Sequence, residues 1–492
     1  MLGITIIKRL NIQNRELMKE MKRLSISLIF VFSIIQGSGQ FKLPSLINDN
    51  MVLQQKTNVF LWGTAEKGSV VEIAPGWTKK KYTSIADAGG NWGTKIPTPS
   101  AGGPYEISFD NAGNKTIVKN VLLGEVWVCS GQSNMEMPLK GFERQPVLNS
   151  GKIITDAEYH PDIHLFHVPN TVSHVPLYDC AGSWEVSGAA TSSDFSAVAY
   201  QYARILNDKL HVPIGIITSY WGGTAIQSWM SENNVKKFPE AELSTRPDTL
   251  TNPNTDGEKT AAILFNAMIY PLSKYTIKGF TWYQGEANVE HPALYRKLLP
   301  AMVAEWRKLW GLGDLPFYYV QIAPYGYYQP NSALLGEAQL QALPGIANAG
   351  MAVTTDIGKE RYIHPPDKST VSERLSYWAL AKTYHYREIS FHSPVFKKMR
   401  IKDNKTYLYF DFTGDRLSLH GNELIDFEIA ESDRKFYPAK ATIVSKNEVE
   451  VENANVKLLV AVRYAFKNWV TGHLYNSAGL PASSFRTDNW KN

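Results

Sequence analysis

The sequence predicts an α/β protein: a mainly parallel central sheet covered by helices on both faces, with β-rich segments on either flank. Three observations carry this. The chain has 492 residues, enough for two or three domains. Between about 121 and 394, short apolar runs alternate with stretches of helical period. On both flanks, short alternating runs are separated by Gly, Pro and Asn turns instead. A composition of 44% hydrophobic and 20% charged residues excludes disorder, collagen and coiled coil.

Residues 1–39 read as a leader. Lys22-Arg23 precede the apolar run Leu24 to Ile35, and Gln36-Gly-Ser-Gly-Gln40 follows with small residues. That is the basic, apolar, small-residue order of a secretory signal. Twelve apolar positions are too few to span a bilayer comfortably. The run lies far from Met1, and a start at Met18 or Met21 gives a signal of ordinary length. No Cys follows it to carry a lipid, and no later segment has the character of a membrane helix. The expected location is secreted or periplasmic after signal cleavage. The leader holds six Lys/Arg against Glu16 and Glu20, so it carries four of the five net positive charges. The rest is nearly neutral and gives no basis for nucleic-acid binding. The two cysteines, Cys129 and Cys180, do not make a disulfide scaffold. A single bridge and two buried free thiols are both open readings.

Residues 40–120 suggest a small β-sandwich. Val59-Phe-Leu-Trp62, Val70-Val-Glu-Ile73 and Tyr105-Glu-Ile-Ser-Phe109 alternate with the turns Gly89-Gly-Asn-Trp92 and Ala101-Gly-Gly-Pro104. In the α/β part, 121–394, the expected strands are Glu125–Cys129, Ile214–Thr218, Gly279–Tyr283, Phe317–Ile322 and Met351–Thr354. Phe195, Val198, Tyr202 and Ile205 repeat at helical spacing, as do Tyr295, Leu298, Leu299, Met302 and Trp306. Thr370-Val-Ser-Glu373 reads as a capping box opening a helix. From 395 to 492, Thr406–Phe412, Glu448–Val451 and Leu458–Tyr464 return to strand character.

Ligands of open parallel sheets bind beyond the carboxyl ends of the strands. Four such ends carry polar or Gly-bearing loops: Ser130-Gly-Gln-Ser133-Asn-Met135, Ser219-Tyr-Trp221-Gly222-Gly223-Thr224, Gln284-Gly285-Glu286-Ala287-Asn288, and Thr355-Asp356-Ile-Gly358 with Ile363-His364-Pro365 after it. Ser133 is the nucleophile candidate, since a Gly allows a sharp strand exit and a helix start behind it aims N–H groups at a reacting centre. Met135 stands where the lipase elbow needs its second Gly. Ser130 is the rival, and either serine is ordinarily just a turn or cap. His364 is the base candidate, because a serine hydroxyl needs an imidazole within reach. Gly222, Gly223 and Asn288 are candidate oxyanion donors; their plain readings are a turn and a helix cap. Trp221 lies in a motif loop and is a candidate sugar platform, whereas Trp229, Trp282 and Tyr283 read as core. No metal-ligand motif, P-loop or dinucleotide fingerprint occurs.

These blocks, in this order, resemble the SGNH hydrolases, and more closely the sialate O-acetylesterase family. The resemblance rests on Leu122-Leu-Gly-Glu-Val-Trp-Val-Cys-Ser-Gly-Gln-Ser-Asn-Met-Glu-Met137, Trp221-Gly-Gly-Thr-Ala-Ile-Gln-Ser-Trp229, Lys278-Gly-Phe-Thr-Trp-Tyr-Gln-Gly-Glu-Ala-Asn288 and Ile363-His-Pro-Pro-Asp-Lys368. It reaches outward to Asn50-Met-Val-Leu-Gln54 and Gly479-Leu-Pro-Ala-Ser-Ser-Phe-Arg-Thr487. It implies a flavodoxin-like three-layer fold and removal of O-acetyl groups from a sugar through an acetyl-serine, without metal or cofactor. Ser133 would be the nucleophile and His364 the base and acid. The Ser133 N–H, a Gly222 or Gly223 N–H and the Asn288 amide would form the oxyanion hole, and Gln132, Gln284 and Glu286 would shape the pocket. The chain departs from the SGNH pattern in one place: Arg361 stands three residues before His364, where the orienting Asp is usual. Either Asp356 folds back to His364, or the site is a Ser-His dyad oriented by a backbone carbonyl. Two other functions stay open: an esterase for acetylated xylan or another plant polysaccharide, and a non-catalytic carbohydrate-binding protein.

Overall fold

A computed structural model describes residues 40–241, 261–402 and 405–490. The leader, with its expected signal and start, lies outside the described residues. The central sheet is built on seven strands: β1 (Asn114–Gly131), β2 (Ile163–His167), β3 (Trp184–Val186), β4 (Ile214–Tyr220), β5 (Gly279–Tyr283), β6 (Phe317–Val320) and β7 (Ala349–Ala352). Their order is β7-β6-β5-β1-β4-β2-β3. All neighbours are parallel except β3, which closes one edge antiparallel to β2. β4 and β5 are buried at every position, as strands covered on both faces must be.

Successive β1 side chains point to opposite layers. Val126 and Val128 join one core with Phe280, Trp282, Leu298 and Trp306; Trp127 and Cys129 join another with Tyr202, Ile216, Leu375 and Trp378. The helices supplying these layers are α2 (Ala197–Leu210) and α5 (Lys368–Trp378) on one face, and α3 (Pro292–Trp310) and α4 (Ala333–Ala342) on the other, with the single turn α1 (Ser133–Glu136) directly after β1. Cys129 and Cys180 are buried free thiols in different cores, so the bridge reading falls.

Four details differ from the sequence reading. Strands β2 and β3 escaped it: β2 has histidine at two of five positions, and β3 is only three residues long. Helix α4 also escaped, because Glu337, Gln339 and Gln341 are scattered among the apolar residues of Ala333–Ala342 and leave no stripe. Phe195 falls just before α2, whose cap is Ser196, accepting from the Ala199 N–H. The capping box at Thr370 does not form. Asp367 caps α5 instead, accepting from the Thr370 N–H at 3.0 Å, so the helix begins at Lys368. An Asp directly after Pro365-Pro366 offers a carboxylate where the helix must start anyway.

The β-rich flanks are continuous with this frame. The first half of β1 pairs antiparallel with Gly102–Asn111 and parallel with Val52–Gln54, so one strand runs from the amino-terminal β-layer into the central sheet. Gln54 and Gln55 donate to Glu125, and the Tyr275 hydroxyl donates to the Val52 carbonyl at 2.7 Å. Towards the carboxyl end, two four-stranded sheets enclose a core of Leu408, Phe410, Ile429, Tyr464 and Phe485. This region grips the central unit through Ser483 on Gln321, Tyr475 on Asp356 and an Arg486–Glu337 ion pair. Among the described residues, no helix is long and apolar enough to cross a membrane.

Candidate active site

The carboxyl ends of β1, β4 and β5 and the segment after β7 bring the motif loops together. β1 ends at Gly131, whose φ is 147°; a Cβ there would lie 2.1 Å from the Tyr283 carbonyl oxygen. Only glycine lets β1 turn this close to β5. Ser133 opens α1 two residues later, half-buried; the Met135 and Glu136 N–H groups donate to the Gln132 carbonyl, so the first donors of the turn are those of Ser133 and Asn134. Ser130 is buried within β1 and its hydroxyl has no partner, which removes it as the rival nucleophile.

The Ser133 Oγ lies 2.8 Å from His364 Nε2, although 231 positions separate them. The other ring nitrogen, Nδ1, is 2.7 Å from Gln145 Oε1. With the amide oxygen accepting there, Nδ1 carries the proton and Nε2 is left to accept from the serine. The Phe142 ring meets the imidazole edge-on at 5.3 Å. Burial, joined by the charge of Lys368, pushes the His364 pKa down to about 4.

Neither expected orienter of His364 is the one present. Asp356 accepts two bonds from Arg374, at 2.7 and 2.6 Å, and a third from the Tyr475 hydroxyl at 3.2 Å. A nearby guanidinium outcompetes a distant imidazole for this carboxylate. Gln145 takes the place, from the irregular segment after α1. It belongs to no motif and no periodic stretch. The segment is pinned to the histidine loop by the Leu148 N–H on the Pro366 carbonyl at 2.9 Å. The two residues make opposite predictions. Asp356→Asn breaks a buried ion pair and is expected to cost about 3 kcal/mol of stability, read by denaturant titration, with kcat within about threefold of wild type. Gln145→Ala is expected to fold normally and lose about 10- to 100-fold in kcat.

The predicted oxyanion donors are partly committed. The Gly222 N–H donates to Glu136 Oε2 at 2.6 Å, and a Cβ on Gly222 would lie 3.3 Å from the Ser133 Cβ. Gly222 is thus beside the nucleophile, but its donor is taken. Burial raises the Glu136 pKa while this N–H opposes the shift. Glu136 went unread although it stands three residues after Ser133. Gly223 follows, exposed, at φ 74°. Asn288 is buried; its Oδ1 accepts from the Ile226 N–H and Gln284, and its Nδ2 donates to Gln227 Oε1 at 2.9 Å. That leaves one amide hydrogen of Asn288 uncommitted among the described residues.

Three residues expected to shape the pocket tie loops together instead. Gln132 Oε1 accepts from the N–H groups of Gly285 and Ala287, both at 3.2 Å. Gln284 is fully buried and donates to the Thr224 carbonyl and to Asn288. Glu286, also buried, accepts from Asn134 Nδ2 at 2.5 Å. Trp221 is half-buried between Gly131, whose carbonyl accepts its N–H, and Gly222. Trp229, Trp282 and Tyr283 are core.

A hydroxyl, a neutral imidazole, an amide orienter and nearby amide donors form an arrangement able to transfer an acyl group. Residues 123–376 match the family profile described as carbohydrate esterase, sialic acid-specific acetylesterase. The chain belongs to this family. This carbohydrate esterase is 33% identical to a carbohydrate acetylesterase from Xanthomonas citri, covering 92% of this chain and 100% of that one, with a TM-score of 0.83. It is 28% identical to the sialate O-acetylesterase of Mus musculus over 94% of this chain and 97% of the relative. It is 29% identical to that of Pongo abelii, over 90% and 92%. The likeness in fold and sequence makes it an SGNH-type esterase that hydrolyses O-acetyl esters on carbohydrates.

Proposed function

We propose that this esterase works through an acetyl-Ser133 intermediate. His364 Nε2 takes the hydroxyl proton as Oγ attacks the acetyl carbonyl, then returns it to the sugar oxygen as that leaves. Water, deprotonated by the same nitrogen, attacks the acetyl-serine, and acetate departs from the restored Ser133. The developing oxyanion is received by the Ser133 N–H and the uncommitted Asn288 hydrogen, with Gly223 on the open side. Gln145 fixes the imidazole tautomer. The observation that supports this reading is the 2.8 Å contact between His364 Nε2 and Ser133 Oγ.

The leading substrate in this reading is an O-acetylated sialic acid, supported by the family description and the curated relatives. A longer acetylated glycan is the second reading. Tyr362 is 47% exposed two residues before His364, and Tyr327 is 61% exposed on a loop joined to the histidine segment by the Gly326 N–H on the Glu360 carbonyl. Such aromatics suit sugar rings beyond the esterified one. Acetate release from O-acetylated sialic acid, acetylated xylan and acetylated pectin tests the choice. The fastest kcat/KM is expected on the sialic acid; faster release from either polymer selects the second reading. The β-rich flanks at 40–120 and 395–492 are proposed to buttress the catalytic part, the first of them sharing the strand β1 with it. Export is proposed from the leader, so that the enzyme meets its glycan in the periplasm or outside the cell.

A further inference from the structure

Behind the serine and histidine lies a buried polar knot that the reaction scheme does not use. Lys368, at the first turn of α5, is fully buried and donates to Asn134 Oδ1 at 2.5 Å. Asn134 follows the nucleophile. Its Nδ2 donates to Glu286 Oε1 at 2.5 Å and to the carbonyl of Ile363 at 3.1 Å. One side chain therefore binds the loop after β5, the residue before His364 and the start of α5. The Lys368 ammonium also lies 5.5 Å from the centre of the Tyr283 ring. A buried lysine is costly, and it persists only where its partners are well placed.

We infer that Lys368, acting through Asn134, is a positioning residue that locks the nucleophile loop to the histidine loop and sets the Ser133–His364 contact. Without the ammonium, the Asn134 oxygen loses its charged donor, and the amide is free to rotate away from Ile363. The nucleophile and base then drift relative to each other. The inference rests on the serine–histidine reading above.

The knot also has an electrostatic effect. The imidazole touches the Ser133 hydroxyl, Gln145 Oε1 and the Phe142 ring, and Asp367 and Lys368 follow it by three and four residues at the start of α5. Lys368 is the one whose charge adds to burial in lowering the His364 pKa. Burial pushes Lys368 itself down to about 7, against the pull of Glu286 and Asp367. It is therefore charged throughout the acid range in which the imidazole titrates.

Two variants test the role: Lys368→Met, and the charge-balanced pair Glu286→Gln/Lys368→Met, which leaves no unpaired buried charge if the single change folds poorly. With p-nitrophenyl acetate, both are expected to lose about 10- to 100-fold in kcat with KM nearly unchanged. The midpoint of the acid limb of kcat/KM should rise by about one pH unit. A variant that merely lost stability would show a smaller folded fraction, with the midpoint unmoved in the molecules that stay folded. Ser133→Ala, measured alongside, separates the two levels. Turnover surviving in Ser133→Ala sinks the serine reading itself. An inactive Ser133→Ala beside a double variant with wild-type kcat and an unmoved acid limb sinks the positioning role alone.

Discussion

Ser133→Ala is expected to lower kcat for acetate release by about 10⁴- to 10⁶-fold while leaving the fold intact. The hydroxyl sits at the surface end of a buried strand, half-exposed, and its loss removes one bond, to His364, without opening a cavity. The size of the effect follows from what the hydroxyl does: without Oγ there is no covalent route, and the remaining donors act only on direct attack by water. The same experiment has a positive half. Wild-type enzyme quenched in acid during turnover of a fast acetyl ester is expected to carry one acetyl group on the peptide containing Ser133. Acetylation elsewhere, or turnover in Ser133→Ala at more than about a hundredth of wild type, would move the chemistry to another residue.

The second large effect belongs to His364. His364→Ala is expected to cost about 10⁴- to 10⁶-fold in kcat, since serine and histidine act as one unit. The wild-type pH profile carries a finer signature. Nε2 works only when unprotonated, and its pKa lies at about 4 instead of the ordinary 6.5. The neutral form therefore persists as the pH falls through the weakly acidic range. kcat/KM should hold down to about pH 4 and then drop about tenfold per pH unit. A midpoint at the ordinary histidine value would mean an imidazole more solvated than this structure places it. Burial is the main cause, with the Lys368 charge behind it, and no carboxylate on Nδ1 offsets them, because Gln145 supplies an uncharged acceptor there.

Much of the fold could be read from period alone. The apolar runs at 125–129, 214–218 and 279–283 became strands because strands buried on both faces must be apolar at nearly every position. The elements that escaped lack that signature: β2 carries histidines, and α4 has no stripe. The site divides in the same way. Ser133 and His364 stand out since each follows a strand end and belongs to a block with its own spacing. Gln145 does not, because orienting the imidazole requires only an acceptor oxygen at the right point in space, and any loop can bring one. Asp356 looked right by residue type, but pairing preference within the fold is decided by neighbours, and Arg374 lies one helix away. Glu136 and Lys368 lie inside the motif blocks, yet their partners, Gly222 and Asn134, are 86 and 234 positions distant. Contacts of that span leave no trace in local pattern.

The strand that leads to the nucleophile begins at Asn114, 19 residues before Ser133, in the amino-terminal β-layer. Its two halves share one backbone, so a shift of register at Lys115–Val118 is passed along the chain to Ser133. For anyone wishing to shorten this enzyme, a cut near residue 121 would sever the rail on which the reacting hydroxyl is mounted. A minimal catalytic fragment has to carry the Val52–Gln54 and Gly102–Asn111 partners with it.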